Sequence, residues 1–285
     1  MEDRTLVAGP YIGEFGWEIL TWGPIIRALS LRKPYDKVII YTQNGAEGKN
    51  LLYPFANEVR QCDGLGNHES ECLGWRDFKD HMEELNTWTQ QMVADIREET
   101  KDNADVFTLA RLQPLNDPHY GAGMPGLLRV PSTAPADEKP TAVLCIRDRA
   151  LSDFRNWDQE DWIELAEALI KAGHNVIFVG QTRKSWDEAI PDGCDNRLGK
   201  TTVDDLIHLF SCENVLAIGG STGTLHLASQ CGCPHLVWGG EKNVMRYAET
   251  NWFATPHKVY EWGWDAETGE VVMAVNHYFE TRSFL

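Results

Sequence analysis

Residues Ala217–Gly240 read AIGGSTGTLHLASQCGCPHLVWGG. The apolar residues Val215–Ile218 predict a buried strand that breaks at a pair of glycines. Ser221 or Thr222 then caps a predicted helix, which ends at a glycine and cannot continue through the proline that follows. A second apolar run, His235–Trp238, predicts the next strand. The stretch is therefore a strand–loop–helix–strand unit, which is typical of an α/β protein.

The start of this predicted helix is a candidate phosphate site. The hydroxyls of Ser221, Thr222 and Thr224 gather with free backbone amides, such as that of Gly223, at the positive end of the helix dipole. The pattern leaves open whether His226 faces the start of this helix or packs in the protein interior. No lysine follows the glycine and no GxGxxG is present, which argues against a P-loop nucleotidase and an ordinary dinucleotide site.

The composition limits the partners. The chain has 285 residues, with 26 basic and 43 acidic side chains and a net charge of −17. This length allows two ordinary domains or one large α/β domain. The acidic surface repels polyanions, which disfavours broad binding to duplex DNA or to anionic membranes.

The cysteines and the apolar runs indicate a compartment. Seven cysteines, an odd number, lie mostly in apolar runs, which suits free thiols in a reducing environment. The first residues include acids and no long apolar core, so the sequence predicts no signal peptide. No later run is long enough to span a bilayer. We therefore expect a soluble, cytoplasmic protein.

The first half of the chain begins as a βαβ unit. Thr5–Ala8 predicts a strand, a glycine-rich loop and a helix follow, and Pro24 either begins the regular helix or kinks it. Lys37–Tyr41 predicts the second strand, and Leu51–Val59 predicts a further helix. Trp75–Glu99 has the apolar stripe of a long amphipathic helix, which we interpret as a core-facing surface.

The second half repeats the α/β alternation after a linker. Leu112–Pro140 is rich in proline and glycine, and its last residues are typical of an interdomain linker. Strands and helices then alternate from Thr141 onward, which predicts a doubly wound parallel sheet with ligands at the carboxyl ends of its strands. The stretches that directly follow strands are Gly9–Glu18, Arg147–Asn156, Gly180–Arg183, Gly219–Thr224 and Gly239–Glu241.

Three arginines, Arg147, Arg149 and Arg155, crowd the loop after the first strand of the second half. Planar guanidinium groups suit phosphate oxygens, so these arginines and the hydroxyls of the helix mouth could hold a diphosphate from two sides. Pairing with the three aspartates of the same loop is the alternative.

The first half offers carboxylates. Glu14 and Glu18 lie in the glycine-rich loop beside Trp17 and Trp22. A carboxylate next to aromatic walls can serve as a general base toward an alcohol, and the tryptophans could stack on a sugar ring. The alternatives are solvated or helix-capping acids and tryptophans that pack in the core.

Metal and nucleophile chemistry lack support in the sequence. Cys231, Cys233, His226 and His235 are close together but match no zinc spacing. No G-x-S-x-G precedes a matching helix. We predict no metal site and no cofactor.

The second half resembles the donor domain of GT-B glycosyltransferases, most closely the ADP-heptose:lipopolysaccharide heptosyltransferase family, glycosyltransferase family 9. The resemblance rests on Ser221–Ala228 and on the later Gly232, Pro234 and Gly239, with serine at the first position where the family has aspartate. Arg155, two residues before a tryptophan, matches the basic residue that the family uses on the donor diphosphate.

The first half resembles the same family at one motif. The family has Gly-Asp with a proline six residues after the aspartate, and that aspartate is its proposed base. Here Glu18 stands six residues before Pro24, with Trp17 inserted after Gly16. The match therefore requires glutamate to replace aspartate.

The resemblance implies a GT-B fold, with two Rossmann-like α/β domains facing a central cleft. Residues 1–135 would form the acceptor-side domain and residues 136–262 the nucleotide-sugar-binding domain. Residues 263–285 would form a C-terminal tail, which is a candidate to pack back on the N-terminal domain.

The resemblance also implies the reaction: a metal-independent, inverting transfer of a sugar from a nucleotide-diphosphate sugar, the co-substrate, to an acceptor hydroxyl. Glu18, or Glu14, would be the base. Gln181 and Glu241 would contact the nucleoside. The acceptor would be a glycan, a lipid-linked sugar or a small molecule, with nucleic acid disfavoured by the acidic surface. The rival interpretations are a nucleotide-sugar epimerase on the same fold and a non-catalytic nucleotide-sugar-binding or structural protein.

Overall fold

A computed structural model describes residues 4–11, 15–42, 48–61, 82–100, 103–108, 126–131, 139–150, 152–183, 186–249, 251, 253–261 and 263–284. The chain divides into two compact units. The first unit is Met1–Gly126 with Thr202–Asp204, and the second is Leu127–Thr201 with Asp205–Leu285. Each unit has its own parallel sheet, so the prediction of two parallel α/β sheets is confirmed.

The sheet of the first unit has four described strands in the order β3-β2-β1-β4, all parallel. Every residue of β1 is buried, because helices can cover both faces of a parallel sheet and its central strand then has no solvent-facing side. Val7 of β1 lies between Ile39 and Val106 of its two neighbours. The strands are β1 (Thr5–Tyr11), β2 (Lys37–Thr42), β3 (Glu58–Gln61) and β4 (Ala104–Phe107).

The helices of the first unit include one irregular turn. After β1 come a short helical turn, Phe15–Trp17, a π-helical turn, Glu18–Trp22, and helix α1, Gly23–Arg32. Helix α2, Met82–Thr100, packs Met92 and Ile96 into the same core cluster as Val7 and Ile39 of the sheet.

The helix predicted at Leu51–Val59 is wrong. The described chain makes turns at residues 50–55 and enters β3 at Glu58. Pro54 has no amide hydrogen for a helical bond, and the amide of Asn57 donates to the carbonyl of Val38. The start of the helix predicted at Trp75–Glu99 lies outside the described residues.

The sheet of the second unit has six described strands, all parallel, in the order β10-β9-β8-β5-β6-β7. The strands are β5 (Thr141–Arg147), β6 (Asn175–Gln181), β7 (Asp195–Asn196), β8 (Val215–Gly220), β9 (His235–Trp238) and β10 (His257–Tyr260). The helices are α3 (Gln159–Lys171), α4 (Val203–Phe210), α5 (Gly223–Gln230), α6 (Glu241–Glu249) and α7 (Thr268–Thr281).

The predicted C-terminal tail contributes to the core of the second unit. Val271, Val275 and Tyr278 of α7 are buried in the same cluster as Trp162 and Leu169 of α3. These three residues recur at helical spacing and form one apolar stripe, which needs a partner surface. The stripe packs within the second unit. Packing of the tail on the N-terminal domain stays a prediction. Among the described residues, no helix combines the length and apolarity needed to cross a membrane.

Candidate active site

The strand order of the second unit creates a crevice between β5 and β8. The chain leaves β5 toward β6 on one side, while β8 lies on the other side, so the loops after β5 and β8 diverge at a topological switch point. Arg155, in the loop after β5, donates from Nη2 to the carbonyl oxygen of Ser221 after β8, at 2.7 Å. Two of the predicted site stretches therefore meet at the carboxyl edge of the sheet.

The helix after β8 has the predicted cap. Thr222 is its N-cap, with extended backbone angles, and its Oγ1 accepts a hydrogen bond from the amide of Leu225 at 3.4 Å. The amides of Gly223 and Thr224 belong to the first turn, where an α-helix offers no intrahelical acceptors. Both residues are half-buried, so these donors lie near the surface at the positive end of α5.

Tyr247, which the sequence analysis did not identify, holds the backbone of this cap. Its Oη donates to the carbonyl oxygen of Thr222 at 2.9 Å and accepts from the amide of Thr222 at 3.0 Å. The tyrosine belongs to α6 and is fully buried, and burial raises the pKa of its hydroxyl well above its usual value. Helix α6 therefore fixes the start of α5.

His226 packs inside the unit. Its ring stacks on Tyr247 at 4.0 Å with an interplanar angle of 8°, and the residue is 5% exposed. Burial, with a smaller contribution from Arg246, lowers the pKa of His226 to about 3. The imidazole is therefore neutral at physiological pH, and a contact of His226 with the donor stays a prediction.

Arg147 braces the loop that carries Arg155. It is 9% exposed, and its Nη1 donates to the carbonyl of Ser152 at 3.0 Å and to Oδ1 of Asn156. Asn156 also bonds to the backbone of Arg149, with Nδ2 donating to the carbonyl oxygen at 2.9 Å. These bonds use Nη1 of the guanidinium, and contact of Arg147 with the diphosphate stays a prediction.

Arg155 is the arginine that reaches the crevice. Its guanidinium lies over the ring of Trp264, 4.4 Å from the centroid. A Cβ at Gly239 would lie 3.0 Å from two ring atoms of Trp264, so a side chain at this position would push the indole away by a few tenths of an ångström. Trp157, two residues after Arg155, is buried against Trp162 and Trp238, which anchors the far side of the loop.

The other predicted donor contacts lie on the same edge without joining this cluster. Gln181 ends β6 beside Arg147, and Glu241 begins α6. Both side chains are exposed. Within the described part of the chain, neither forms a hydrogen bond or an ion pair with Arg155 or Ser221.

In the first unit, Glu18 lies at the carboxyl ends of β1 and β2 inside a buried polar network. Its Oε1 accepts from Tyr53 Oη at 2.6 Å and from Thr42 Oγ1 at 2.7 Å. Lys49 Nζ donates to Oε2 at 2.9 Å and to Oε1 at 3.2 Å. Glu18 is 2% exposed and Lys49 is 7% exposed, so this is a buried ion pair. The sequence analysis did not identify Thr42, Lys49 or Tyr53.

The π-helical turn sets the position of Glu18. The amide of Gly23 donates to the carbonyl of Glu18, five residues earlier. Pro24 has no amide hydrogen, so the carbonyl of Leu20 cannot receive the regular α-helical bond and the preceding turn widens. Pro24 therefore lies within the helical segment, at the second position of α1 after the widened turn.

A sequence model described as "Glycosyltransferase family 9 (heptosyltransferase)" matches residues 75–240, more than half of the chain. The chain belongs to glycosyltransferase family 9. It is therefore a glycosyltransferase, as the resemblance in the sequence implied. A comparison with curated protein sequences finds no match.

Solved structures share the fold of this family 9 enzyme at low sequence identity. Escherichia coli ADP-heptose lps heptosyltransferase II is 15% identical, with a TM-score of 0.60, over 98% of this chain and 99% of that chain. A family 9 glycosyltransferase from Veillonella parvula is 14% identical, with a TM-score of 0.54, over 100% and 91%. Escherichia coli heptosyltransferase WaaC with ADP is 14% identical, with a TM-score of 0.53, over 98% and 100%. The enzyme therefore has the GT-B fold.

The aromatic residues near Glu18 of this glycosyltransferase differ in exposure. Trp22 is fully buried and packs against Tyr11 and Phe107, with ring centroids 5.5 and 6.1 Å apart. The prediction that Trp22 stacks on a sugar is therefore wrong, because its ring belongs to the core. Trp17 is half-buried. Glu14 lies outside the described residues.

Histidine and cysteine near α5 do not form a metal-binding cluster. Cys231, Cys233 and His235 are all buried. In the part of the glycosyltransferase that the structure describes, no group of three or more His, Cys, Asp or Glu side chains could hold a metal ion. Burial lowers the pKa of His235 to about 4, so this ring is also neutral at physiological pH.

Proposed function

We propose that this glycosyltransferase moves a sugar from a nucleoside-diphosphate sugar to an acceptor hydroxyl in one inverting displacement, without a metal ion. The observation that carries the proposal is the contact of Arg155 with Ser221, because it joins a guanidinium to the start of α5 at the switch point. An ADP-sugar is the first donor to test, since structures of the same fold are described as an ADP-heptose transferase and as WaaC with ADP.

The second unit would stabilise the leaving diphosphate. Negative charge grows on the diphosphate as the bond to the anomeric carbon breaks, and preorganised donors lower the energy of that state. Arg155 would supply a positive charge, and the amides of Gly223 and Thr224 would supply the helix terminus. The hydroxyls of Ser221, Thr222 and Thr224 remain candidates for further contacts. These groups would stabilise the negative charge on the diphosphate, which a divalent cation stabilises in other transferases. Arg149, Gln181 and Glu241 remain candidates for the rest of the donor.

The first unit would supply the base. The acceptor oxygen attacks the anomeric carbon from the face opposite the diphosphate, its proton passes to the Glu18 carboxylate, and the electron pair of the broken bond leaves on the diphosphate oxygen. Glu14 is the second candidate for this role.

The acceptor would be a glycan, a lipid-linked sugar or a small molecule that carries a hydroxyl. Trp17, which directly precedes Glu18 and is half-buried, is the candidate to stack on a sugar ring. The net charge of −17 disfavours nucleic acid as the acceptor.

The first experiment identifies the donor and then tests the base. Thermal-shift measurements with a panel of nucleotide sugars select the donor, and NMR of the product determines the anomeric configuration. Glu18→Gln should leave donor binding near normal, because the donor groups lie in the second unit, and should lower transfer by about a hundredfold or more.

Glu14→Gln is the matched variant, with the same change of charge in the same loop. Full turnover in Glu18→Gln, with loss in Glu14→Gln, would move the base to Glu14. A product with retained configuration would contradict the single displacement.

A further inference from the structure

The buried partner of Glu18 is a lysine that the reaction scheme has not used. Lys49 Nζ contacts both carboxylate oxygens, at 2.9 and 3.2 Å, and donates to Thr42 Oγ1 at 2.9 Å. Thr42 in turn donates to Oε1 of Glu18 at 2.7 Å. The three groups form a closed ring of charge-assisted hydrogen bonds, which fixes the rotamer of the glutamate.

The two oxygens of Glu18 differ in how many donors they have. Oε1 accepts from Tyr53, Thr42 and Lys49, which fills its lone-pair directions. Among the described residues, Oε2 accepts from Lys49 alone, at 2.9 Å. Oε2 is therefore the oxygen with capacity for one more hydrogen bond.

Among the described residues, Lys49 brings a positive charge to the carboxylate. The titratable groups packed around it in the described structure are Lys49 from the loop after β2, Tyr53 from the turns before β3 and Tyr11 from β1, which acts on Tyr53. Burial and the neighbouring Glu18 raise the pKa of Tyr53 well above its usual value, so Tyr53 stays a neutral donor. Lys49 is the positive charge among these groups.

We propose that Lys49 is a positioning residue of the transfer: it places a positive charge against the Glu18 carboxylate and, with Thr42 and Tyr53, engages Oε1, so that Oε2 receives the proton of the acceptor hydroxyl. This inference rests on the proposed function, in which Glu18 is the base. The proton ends on Oε2, the acceptor oxygen bonds to the anomeric carbon, and the leaving bond's electrons go to the diphosphate. Lys49 keeps its own protons throughout.

The test is the pH dependence of kcat/KM in Lys49→Met, with the nucleotide sugar selected by the thermal-shift panel as substrate. Removing the positive charge disfavours the carboxylate, so the acidic limb of the profile should move about one to three pH units higher. The KM for the donor should not change. Lys49→Arg restores the charge and should return the limb toward the wild-type position, with a lower kcat because its planar group differs in shape.

The matched control is Lys33→Met. Lys33 also pairs with a carboxylate at 3.0 Å in the first unit, but this pair with Asp105 is exposed. The control should leave the profile unchanged. An unshifted profile in folded Lys49→Met would assign Lys49 to stability alone and overturn the inference.

Two further outcomes complete the test. If Lys49→Met does not fold, Tyr53→Phe replaces it, since this variant keeps the ion pair and removes one donor to Oε1. The acidic limb of its kcat/KM profile should move to higher pH by less than the shift expected for Lys49→Met, which would support the inference. An unchanged acidic limb would contradict it. Glu18→Gln separates the two proposals. Sugar transfer by Glu18→Gln would show that Glu18 is not the base. Loss of transfer in Glu18→Gln, together with an unshifted pH profile of kcat/KM in Lys49→Met, would contradict the role of Lys49 only.

Discussion

Arg155 is the residue on which the donor half of the site depends. Its guanidinium is held between the carbonyl of Ser221 and the ring of Trp264, so its direction is set before any ligand binds. Trp264 comes from a loop near the C-terminal helix, and its sequence neighbourhood has no motif that points to the site. A residue that acts by holding another one leaves no spacing pattern in the chain.

Replacing Arg155 by alanine should weaken binding of ADP about ten- to hundredfold, because one charge-assisted hydrogen bond in a partly dry crevice contributes ~1.5–3 kcal/mol. Isothermal titration calorimetry measures the change. Arg197→Ala is the control, since Arg197 forms an exposed pair with Asp195 in the same unit. An unchanged ADP affinity in Arg155→Ala would place the diphosphate elsewhere.

At the scale of elements, α6 and α5 act together through Tyr247. The two hydrogen bonds of Tyr247 to Thr222 and its stack on His226 couple the helix that begins at Glu241 to the start of α5. Any shift of α6 would therefore move the amides that are proposed to bind the diphosphate.

Tyr247→Phe keeps the stacked ring and removes both hydrogen bonds to Thr222. We expect ADP affinity to fall about fivefold, since a neutral hydrogen bond contributes ~1 kcal/mol, while kcat stays within about twofold. Calorimetry and steady-state kinetics measure the two effects. Tyr35→Phe removes a tyrosine hydrogen bond in the first unit, to Asp105, and should leave ADP affinity unchanged. Equal losses in both variants would show a general loss of stability instead.

The elements show which predictions a single sequence supports. The stretch Ala217–Gly240 forms the predicted strand, capped helix and strand, because its glycines, cap and apolar runs act within a few residues. The pairing of Glu18 with Lys49 joins residues 31 positions apart in a loop without a periodic pattern, and was not predictable. The π-helical turn follows from Pro24, whose missing amide acts on carbonyls upstream. The burial of Trp22 was not predictable, because tryptophan occurs both in cores and at sugar-binding surfaces.

For the whole molecule, two buried histidines make stability depend on pH. The pKa of His226 is lowered to about 3 and that of His235 to about 4, mainly by burial, from an ordinary value near 6.5. The unfolded chain takes up these protons below about pH 6.5 and the folded chain does not. The stability is therefore fully present above that pH and is lost as the pH falls toward 4.

The free energy of unfolding should fall by up to ~1.4 kcal/mol per pH unit for each of these histidines as the pH drops below 6.5. Urea unfolding between pH 6.5 and 5 measures this slope above the range where most carboxylates titrate. His226→Phe should lower the slope of the unfolding free energy against pH by up to the contribution of one proton. The phenyl ring can still pack against Tyr247. His208→Gln, on an exposed position of α4, should leave it unchanged. A slope equal to that of the wild type in His226→Phe would contradict the assignment.

Helix α7 also affects when each unit can fold during synthesis. The four described strands of the first sheet all lie before residue 108, so that sheet can assemble early. Trp162 and Leu169 pack in a cluster that includes Val275 and Tyr278, more than a hundred positions later. Until α7 leaves the ribosome, this apolar surface faces water. The core of the second unit is therefore completed only after α7 has been translated.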